Sequence, residues 1–327
     1  MPTTLTIKPI HSRYDLPRAV CSYGYFILMP NIWSPEKQTL SRPIDLAEGI
    51  ATFTIAQPAG EGSAVKAKAN RALSRTEITE ARLKLTRMLR TDDDTIDRFH
   101  KLDPRWKKDN RGLLFRSPTF YEDVIRTVTN CNITWPGTCL MNERLCSVIN
   151  PAFPRAEQLA RRRPASLRER CKVGYRDVRI VELCKMFSSG EIEAEWYEDP
   201  ARTDDEIRAA LLKLPGIGPF AAANILQLLG RYAHIPLDTE SVRHGRQVLN
   251  MEGTSASIMK RVDKHFSEFE EQKFRSYWCE LWSFYEKKKG PAWTWEPRTT
   301  GRSFTSAQMR TRKKKVSSRK KTRASKQ

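Results

Sequence analysis

Apolar positions along the chain follow two different periods, and the change comes near residue 76. Before it, residues 22–29 (SYGYFILM) are rich in aromatic and branched side chains, and Gly49–Ala56 (GIATFTIA) alternates apolar with polar. Alternation is the signature of a strand with one buried face, so both runs predict strands. Pro30 and Pro35 break the chain between them, and residues 60–70 are small and polar, which suits a connection. Beyond residue 76, Leu83, Leu85 and Leu89 sit among charges as on an amphipathic helix. The acidic run 92–94 suits the start of another helix, where negative charge complements the dipole. From there to residue 289 the pattern is helical, punctuated by Pro and Gly, with no internal repeat. The prediction is a mainly α chain, α+β overall. Residues 1–90 form a small β-rich lobe and connecting segment, 91–290 a helical body, and 291–327 a tail.

The composition adds a partner. With 327 residues, 39% of them hydrophobic, the chain can bury a sizeable core. Its formal net charge of +20 favours a polyanion, because neutralising phosphates releases condensed counterions. Half of that excess lies in the last eighteen residues, which hold ten Lys/Arg and no acid. That stretch has almost nothing apolar to bury and is expected to be disordered. Its basic clusters at 313–315 and 319–321 resemble a nuclear-localisation signal and place the chain in the nucleus; a solvated tail adding DNA affinity would look the same. No apolar run approaches the ~20 residues that span a bilayer, and the first twenty lack the basic-then-apolar pattern of a secretory signal. Neither a membrane nor an oxidising compartment is expected. The seven cysteines are scattered without a C-x-x-C pair, so they form neither a zinc ribbon nor a disulfide framework.

The most informative stretch is 211–250. Residues 203–212 read as a helix capped by Thr203, with Asp204, Asp205 and Glu206 in its first turn. The helix ends at Leu214-Pro215-Gly216-Ile217-Gly218, and a second, Ala-rich helix starts near Pro219. A hairpin with unencumbered amides at Gly216 and Gly218 can grip a DNA phosphate at the second helix's N-terminus without reading sequence. Alone, it is equally an ordinary αα turn. Twenty residues past Gly218, Pro236-Leu237-Asp238-Thr239 places a carboxylate where it can also cap a helix over 239–249.

Hairpin and aspartate together resemble the helix-hairpin-helix (HhH-GPD) DNA glycosylase superfamily, whose L-P-G-[IV]-G hairpin is followed by a Pro-x-Asp turn. The resemblance covers about residues 92–290 and implies that Asp238 is the catalytic carboxylate. Residues 117–146 resemble the helix that opens the superfamily's core, and Gly174-Tyr175-Arg176 the G-Y-R motif of its 8-oxoguanine branch. By that resemblance Asn132 enters the gap left by a flipped nucleotide, and Tyr175 and Arg176 contact the orphaned base. From the residues alone, Tyr175 equally suits a core ring and Arg176 a solvated charge. The N-terminal segment, with Asn31-Ile32-Trp33 and Arg42-Pro43, looks most like uncharacterised plant members.

Three departures shape the expected activity. Bifunctional members carry a lysine two residues after the second hairpin glycine, where its amine forms a Schiff base with the sugar. Phe220 stands there, and Lys213 precedes the hairpin, so a monofunctional enzyme without lyase activity is expected. An aromatic at that position resembles the alkylation-repair branch. Gly137 stands where the 8-oxoguanine branch has an arginine. The four-cysteine cluster of iron–sulfur members is missing, since only Cys279 follows Asp238. No metal or cofactor is implied; a monovalent cation on the hairpin is compatible with the resemblance. The partner is double-stranded DNA containing a damaged base, bound by a monomer. The lesion stays open between alkylated purine, from Phe220, and oxidised guanine, from Asn132 and Tyr175. A catalytically inactive DNA-binding module on the same fold is the alternative. Trp135, Trp278, Trp282, Trp293 and Trp295 are candidates to stack on a base, although Trp278, Trp282 and Tyr285 at helical spacing also suit a core. His234, Glu240, Arg243 and His244 flank Asp238 without a distinct role. Asp238 itself needs no more than the ordinary ionised state of a carboxylate.

Overall fold

Alternation along 39–56 is realised as an antiparallel hairpin at the centre of a five-stranded sheet. The computed structural model describes residues 1–303. Strands β1 (Thr4–Ile7), β2 (Ile32–Ser34), β3 (Thr39–Leu46), β4 (Gly49–Ala56) and β5 (Val65–Ala69) pair antiparallel in the order β1-β5-β4-β3-β2. Leu40, Ile44 and Leu46 of β3 face the core with Ala51, Phe53 and Ile55 of β4. Arg42 sits on the same inward face, 1% exposed, and donates to Asn31 Oδ1 at 2.7 Å and Glu122 Oε2 at 2.6 Å.

The rest is helical: α1 (Leu16–Val20), α2 (Arg75–Leu89), α3 (Ile96–Leu102), α4 (Phe120–Asn130), α5 (Trp135–Val148), α6 (Ala156–Ala160) and α7 (Pro164–Cys171). Then follow α8 (Asp177–Ser189), α9 (Ala194–Glu198), α10 (Asp204–Leu211), α11 (Pro219–Leu228), α12 (Thr239–Gln247), α13 (Ser255–His265) and α14 (Lys273–Lys289). Among the described residues no helix is long and apolar enough to cross a membrane.

Two apolar cores result, and they do not follow the division of the sequence. One joins the sheet, α1–α3 and α12–α14; the other is built from α4–α11. They meet along a seam tied by polar pairs. Tyr23 OH donates to Asn224 Oδ1 at 2.7 Å, Arg87 pairs with Asp123 at 2.8 Å, and Arg42 with Glu122.

Four expectations are corrected. Residues 60–70 are not only a connection, because Val65–Ala69 forms β5 and pairs with β1 and β4. Residues 22–29 are not a strand. Gly24–Ile27 is a 3-10 turn with local bonds such as Phe26 N to Tyr23 O at 3.2 Å, and Tyr25, Phe26, Ile27 and Leu28 are all buried. A segment crossing the seam buries all its sides and has no free edge to pair. The acidic run 92–94 does not open a helix, because Asp93 turns inward to Arg90 and Arg275, and α3 starts only at Ile96. The tail does not begin at 291. Residues 291–303 pack on the body, with Trp295 1% exposed and its Nε1 donating to Gly290 O at 2.9 Å. The basic clusters of the tail, and the nuclear signal read from them, lie outside the described residues.

Candidate active site

The hairpin follows from local rules. Thr203 caps α10 through a reciprocal box with Glu206, and the helix runs out at Leu211. Buried Leu214 and Ile217 pin the turn, with Ile217 N donating to Leu214 O at 3.1 Å. Gly216 takes φ +78°, where an L side chain is strained, and a Cβ there would lie 2.6 Å from Arg179 Cδ. Gly216 and Gly218 are exposed, with Gly218 capping α11 and Pro219 at its first position.

The hairpin borders a groove of about 860 Å³. Gly216, Ile217 and Gly218 line it on one side, and Asn132, Tyr175 and Arg176 on the other; Leu214 and Pro215 do not reach it. Thus residues 40 to 86 positions apart in sequence line one groove. Asn132 is exposed at φ +50° and its Nδ2 donates to Tyr175 OH at 3.3 Å. The Tyr175 ring is 49% exposed on a 3-10 turn, so it is a projecting surface ring and not core. Arg176 is buried at 3% exposure. Its guanidinium donates to the carbonyls of Val173 and Cys131, bracing the Asn132 loop from beneath and stacking on Tyr175 at 4.6 Å. The exposed groove-lining cation is Arg179, one helical turn on, 5.2 Å from the same ring. Only its spacing from Tyr175 on α8 marked it in the sequence.

A second cavity, about 330 Å³, opens behind the groove at the seam between the two cores. That volume falls in the range of small-ligand pockets. Asn130, Ile133, Thr134, Phe220, Asp238 and Thr239 line both spaces and so form the threshold between them. The inner walls are aromatic: Trp135, Phe274, Tyr277, Trp278, Trp282 and Tyr285, with Tyr23 and Tyr25 from the misread 22–29 segment. Trp278 and Trp282 stack at 5.3 Å, and their indole N–H groups are fixed on the carbonyls of Ser22 and Cys21. Helical spacing therefore served core and cavity at once. Trp293 and Trp295 line neither this cavity nor the groove.

Asp238 stands on the threshold as the N-cap of α12. Its Oδ1 accepts from Glu240 N at 2.8 Å and Ser241 N at 3.2 Å, while Oδ2 accepts no hydrogen bond among the described residues. Capping thus fixes the carboxylate and leaves one oxygen uncommitted. Burial, with the nearby Glu240 charge, pushes the Asp238 carboxyl up to about 6, against the bonds from Ser241 and Glu240. At neutral pH the carboxyl is still mostly ionised, the state the sequence reading required of it.

Phe220 lies between groove and cavity, and Lys213 lines neither. At Gly137, in the first turn of α5, a Cβ would come 2.6 Å from Ile133 Cγ1, so Ile133 occupies the space an arginine stem would need. His244 is fully buried and bonded to Glu280 at 2.9 Å, and burial lowers its pKa. His244 and His234 line neither space. Among the described residues no group of His, Cys, Asp or Glu could hold a metal ion.

No protein-family model matches the chain, and no curated protein does. Solved structures do. A 3-methyladenine DNA-glycosylase from Archaeoglobus fulgidus is similar over 88% of this chain and 98% of its own, with TM-score 0.64 at 18% identity. An 8-oxoguanine glycosylase/lyase from Clostridium acetobutylicum, in complex with double-stranded DNA containing cytosine opposite 8-oxoG, is similar over 82% and 93%, with TM-score 0.57 at 16% identity. The chain has the fold of these DNA glycosylases.

Proposed function

We propose that the protein is a monofunctional DNA glycosylase that flips a damaged base and hydrolyses its N-glycosidic bond, with an alkylated purine as the preferred lesion. The observation that carries this reading is the position of Asp238. Asp238 lines both the groove bordered by the hairpin and the aromatic cavity behind it, and its Oδ2 accepts no hydrogen bond among the described residues.

In this mechanism the Gly216 and Gly218 amides hold a phosphate. Tyr175 and Asn132 enter the duplex, lowering the cost of holding a nucleotide outside the stack. The base passes the threshold into the cavity. As the C1′–N bond breaks, positive charge grows on C1′ and O4′, and the Asp238 carboxylate stabilises it. The water oxygen adds to C1′, one of its protons passes to Asp238, and the alkylated purine, cationic while bonded, leaves as a neutral base with the electron pair of the broken bond. The alkylated-purine reading rests on the electron-rich rings around the cavity and on Phe220, since alkylation at N3 or N7 gives a purine a positive charge that ring faces attract. The paired Asn132 and Tyr175 favour oxidised guanine as the second reading. From the Asn31-Ile32-Trp33 and Arg42-Pro43 segments we further propose that the chain is nearest uncharacterised plant members of the superfamily it resembles.

Two results test this. Release of bases from a panel of lesion duplexes names the substrate, with 7-methylguanine and 3-methyladenine expected ahead of 8-oxoguanine. Borohydride added during turnover is expected to trap no covalent complex, because no lysine lines the groove or the cavity among the described residues. A trapped species would convert the reading to a glycosylase/lyase. The Asp238 pKa also sets a pH dependence. The active form is the ionised one, so kcat/KM is expected to be level above about 7. It should fall roughly tenfold per pH unit below the pKa of about 6. An acid limb near 4 would contradict the geometry that raises it.

A further inference from the structure

Of the rings on the cavity's inner walls, all but one already pack on another ring. Trp278 packs on Tyr23, Phe274 and Trp282, Tyr277 on Phe274, and Tyr285 on Trp282. Trp135, half-buried at the start of α5, packs on no ring among the described residues. Phe220 also lacks a ring partner, but it stands at the threshold and lines the groove as well, whereas Trp135 lines the cavity alone. A ring covered by its neighbours has no face to give, and one without a partner keeps its face for a ligand.

Trp135 is nevertheless fixed in place. Its indole is gripped along one edge, where Nε1 donates to Gly301 O at 3.2 Å and a Cβ at Gly24 would lie 3.2 Å from Cζ2 and Cη2. A side chain at Gly24 would push the indole, so its absence lets the two meet. Gly301 belongs to residues 291–303, and these tie opposite walls of the cavity together. Trp295, which does not reach the cavity, packs at 5.4 Å on Trp282 of α14, which does. Trp33 Nε1 donates to Trp293 O at 2.8 Å. The segment then reaches α5, where Gly301 is buried against Ile27 and Arg302 pairs with Glu143.

We propose that Trp135 is the platform on which the flipped base stacks, and that residues 291–303 are the strap that positions it against α14. This rests on the glycosylase reading of the cavity and deepens it. The favoured class is a positively charged purine, because indole is the aromatic face that attracts a cation most strongly. Trp135 meets the base and Asp238 the sugar, so their effects are separable. Because the platform and the strap share a hydrogen bond, a base that steadies the indole also steadies the strap, and the coupling is reciprocal.

The test uses the full chain and measures binding without turnover. One duplex carries 2′-fluoro-7-methylguanosine, whose glycosidic bond resists cleavage; the other carries tetrahydrofuran, which offers no base to the cavity. Trp135→Leu is expected to weaken the 7-methylguanine duplex about tenfold, the scale of one base stacked on an aromatic side chain, and to leave tetrahydrofuran affinity within about twofold. Trp135→Phe keeps a ring but loses the N–H to Gly301, and is expected to weaken the same duplex about threefold. Hydrogen exchange reads the strap. In wild type the amides of 296–303 are expected to exchange about threefold more slowly on the 7-methylguanine duplex than on tetrahydrofuran, and this difference should vanish in Trp135→Phe. Wild-type affinity of Trp135→Leu for the 7-methylguanine duplex overturns the platform. An equal loss on both duplexes also overturns it, since that would mean a structural role. Equal exchange of the wild-type strap on the two duplexes overturns the strap. Base release by wild type tests the glycosylase reading separately. A wild type that releases nothing yet shows the Trp135 effects would remove the reaction and keep the platform.

Discussion

Asp238→Asn is expected to reduce single-turnover base release by about 10³-fold or more while leaving affinity for a tetrahydrofuran duplex within about twofold. The separation follows from what each carboxylate oxygen does. Oδ1 caps α12 by accepting from Glu240 N and Ser241 N, and an asparagine oxygen accepts the same bonds. Asn and Asp are nearly equal N-caps, so the helix and the threshold are kept. What the substitution removes is the charge on Oδ2, where the mechanism places it against the oxocarbenium-like sugar. Rates from quenched time courses, with affinity from fluorescence anisotropy, give both numbers. A variant that releases base at near wild-type rate removes Asp238 from the mechanism.

The largest stability effect is expected far from the chemistry, at Asp93. This carboxylate is 5% exposed and paired with Arg90, which ends α2, and with Arg275 on α14. Burial alone would raise its pKa, but the two guanidiniums hold it well below the usual carboxylate range. Its contribution is therefore fully present above the ordinary carboxylate pKa and is lost only at strongly acidic pH. Asp93→Ala leaves two buried cations without their partner and is expected to cost about 3–5 kcal/mol, read from the denaturant midpoint. Arg275 lies next to Phe274 and near Tyr277 and Trp278, so loosening α14 also loosens the cavity wall. A loss under about 1 kcal/mol would mean that the cluster holds nothing in place.

How far the sequence carried the structure depended on the range of the signal. Thr203 with Glu206, Pro219, and Asp238 before Thr239 are local cap and turn signals, and each element starts where they put it. Residues 22–29 failed because aromatic density marks burial without saying whether the burial is in a sheet or across a seam. Tyr23 and Tyr25 gain their role only from Asn224 and Thr127, about 200 and 100 positions away. Asp93 was misread for the same reason, since its partner on α14 is 182 positions distant. Trp278, Trp282 and Tyr285 have the spacing of a core helix and do pack as one. That the same rings wall a cavity depends on the space left between two cores, and periodicity does not encode a void.

The most direct test of the account uses no preselected lesion. Duplex DNA methylated with dimethyl sulfate is incubated with wild type or with Asp238→Asn, and the free bases are identified by mass spectrometry, with strand integrity followed before and after hot alkali. The account predicts free 3-methyladenine and 7-methylguanine with wild type only, and strands intact until alkali. Absence of any free base with wild type, despite tight binding to the same DNA, would contradict it and make the protein a recognition module on a glycosylase fold.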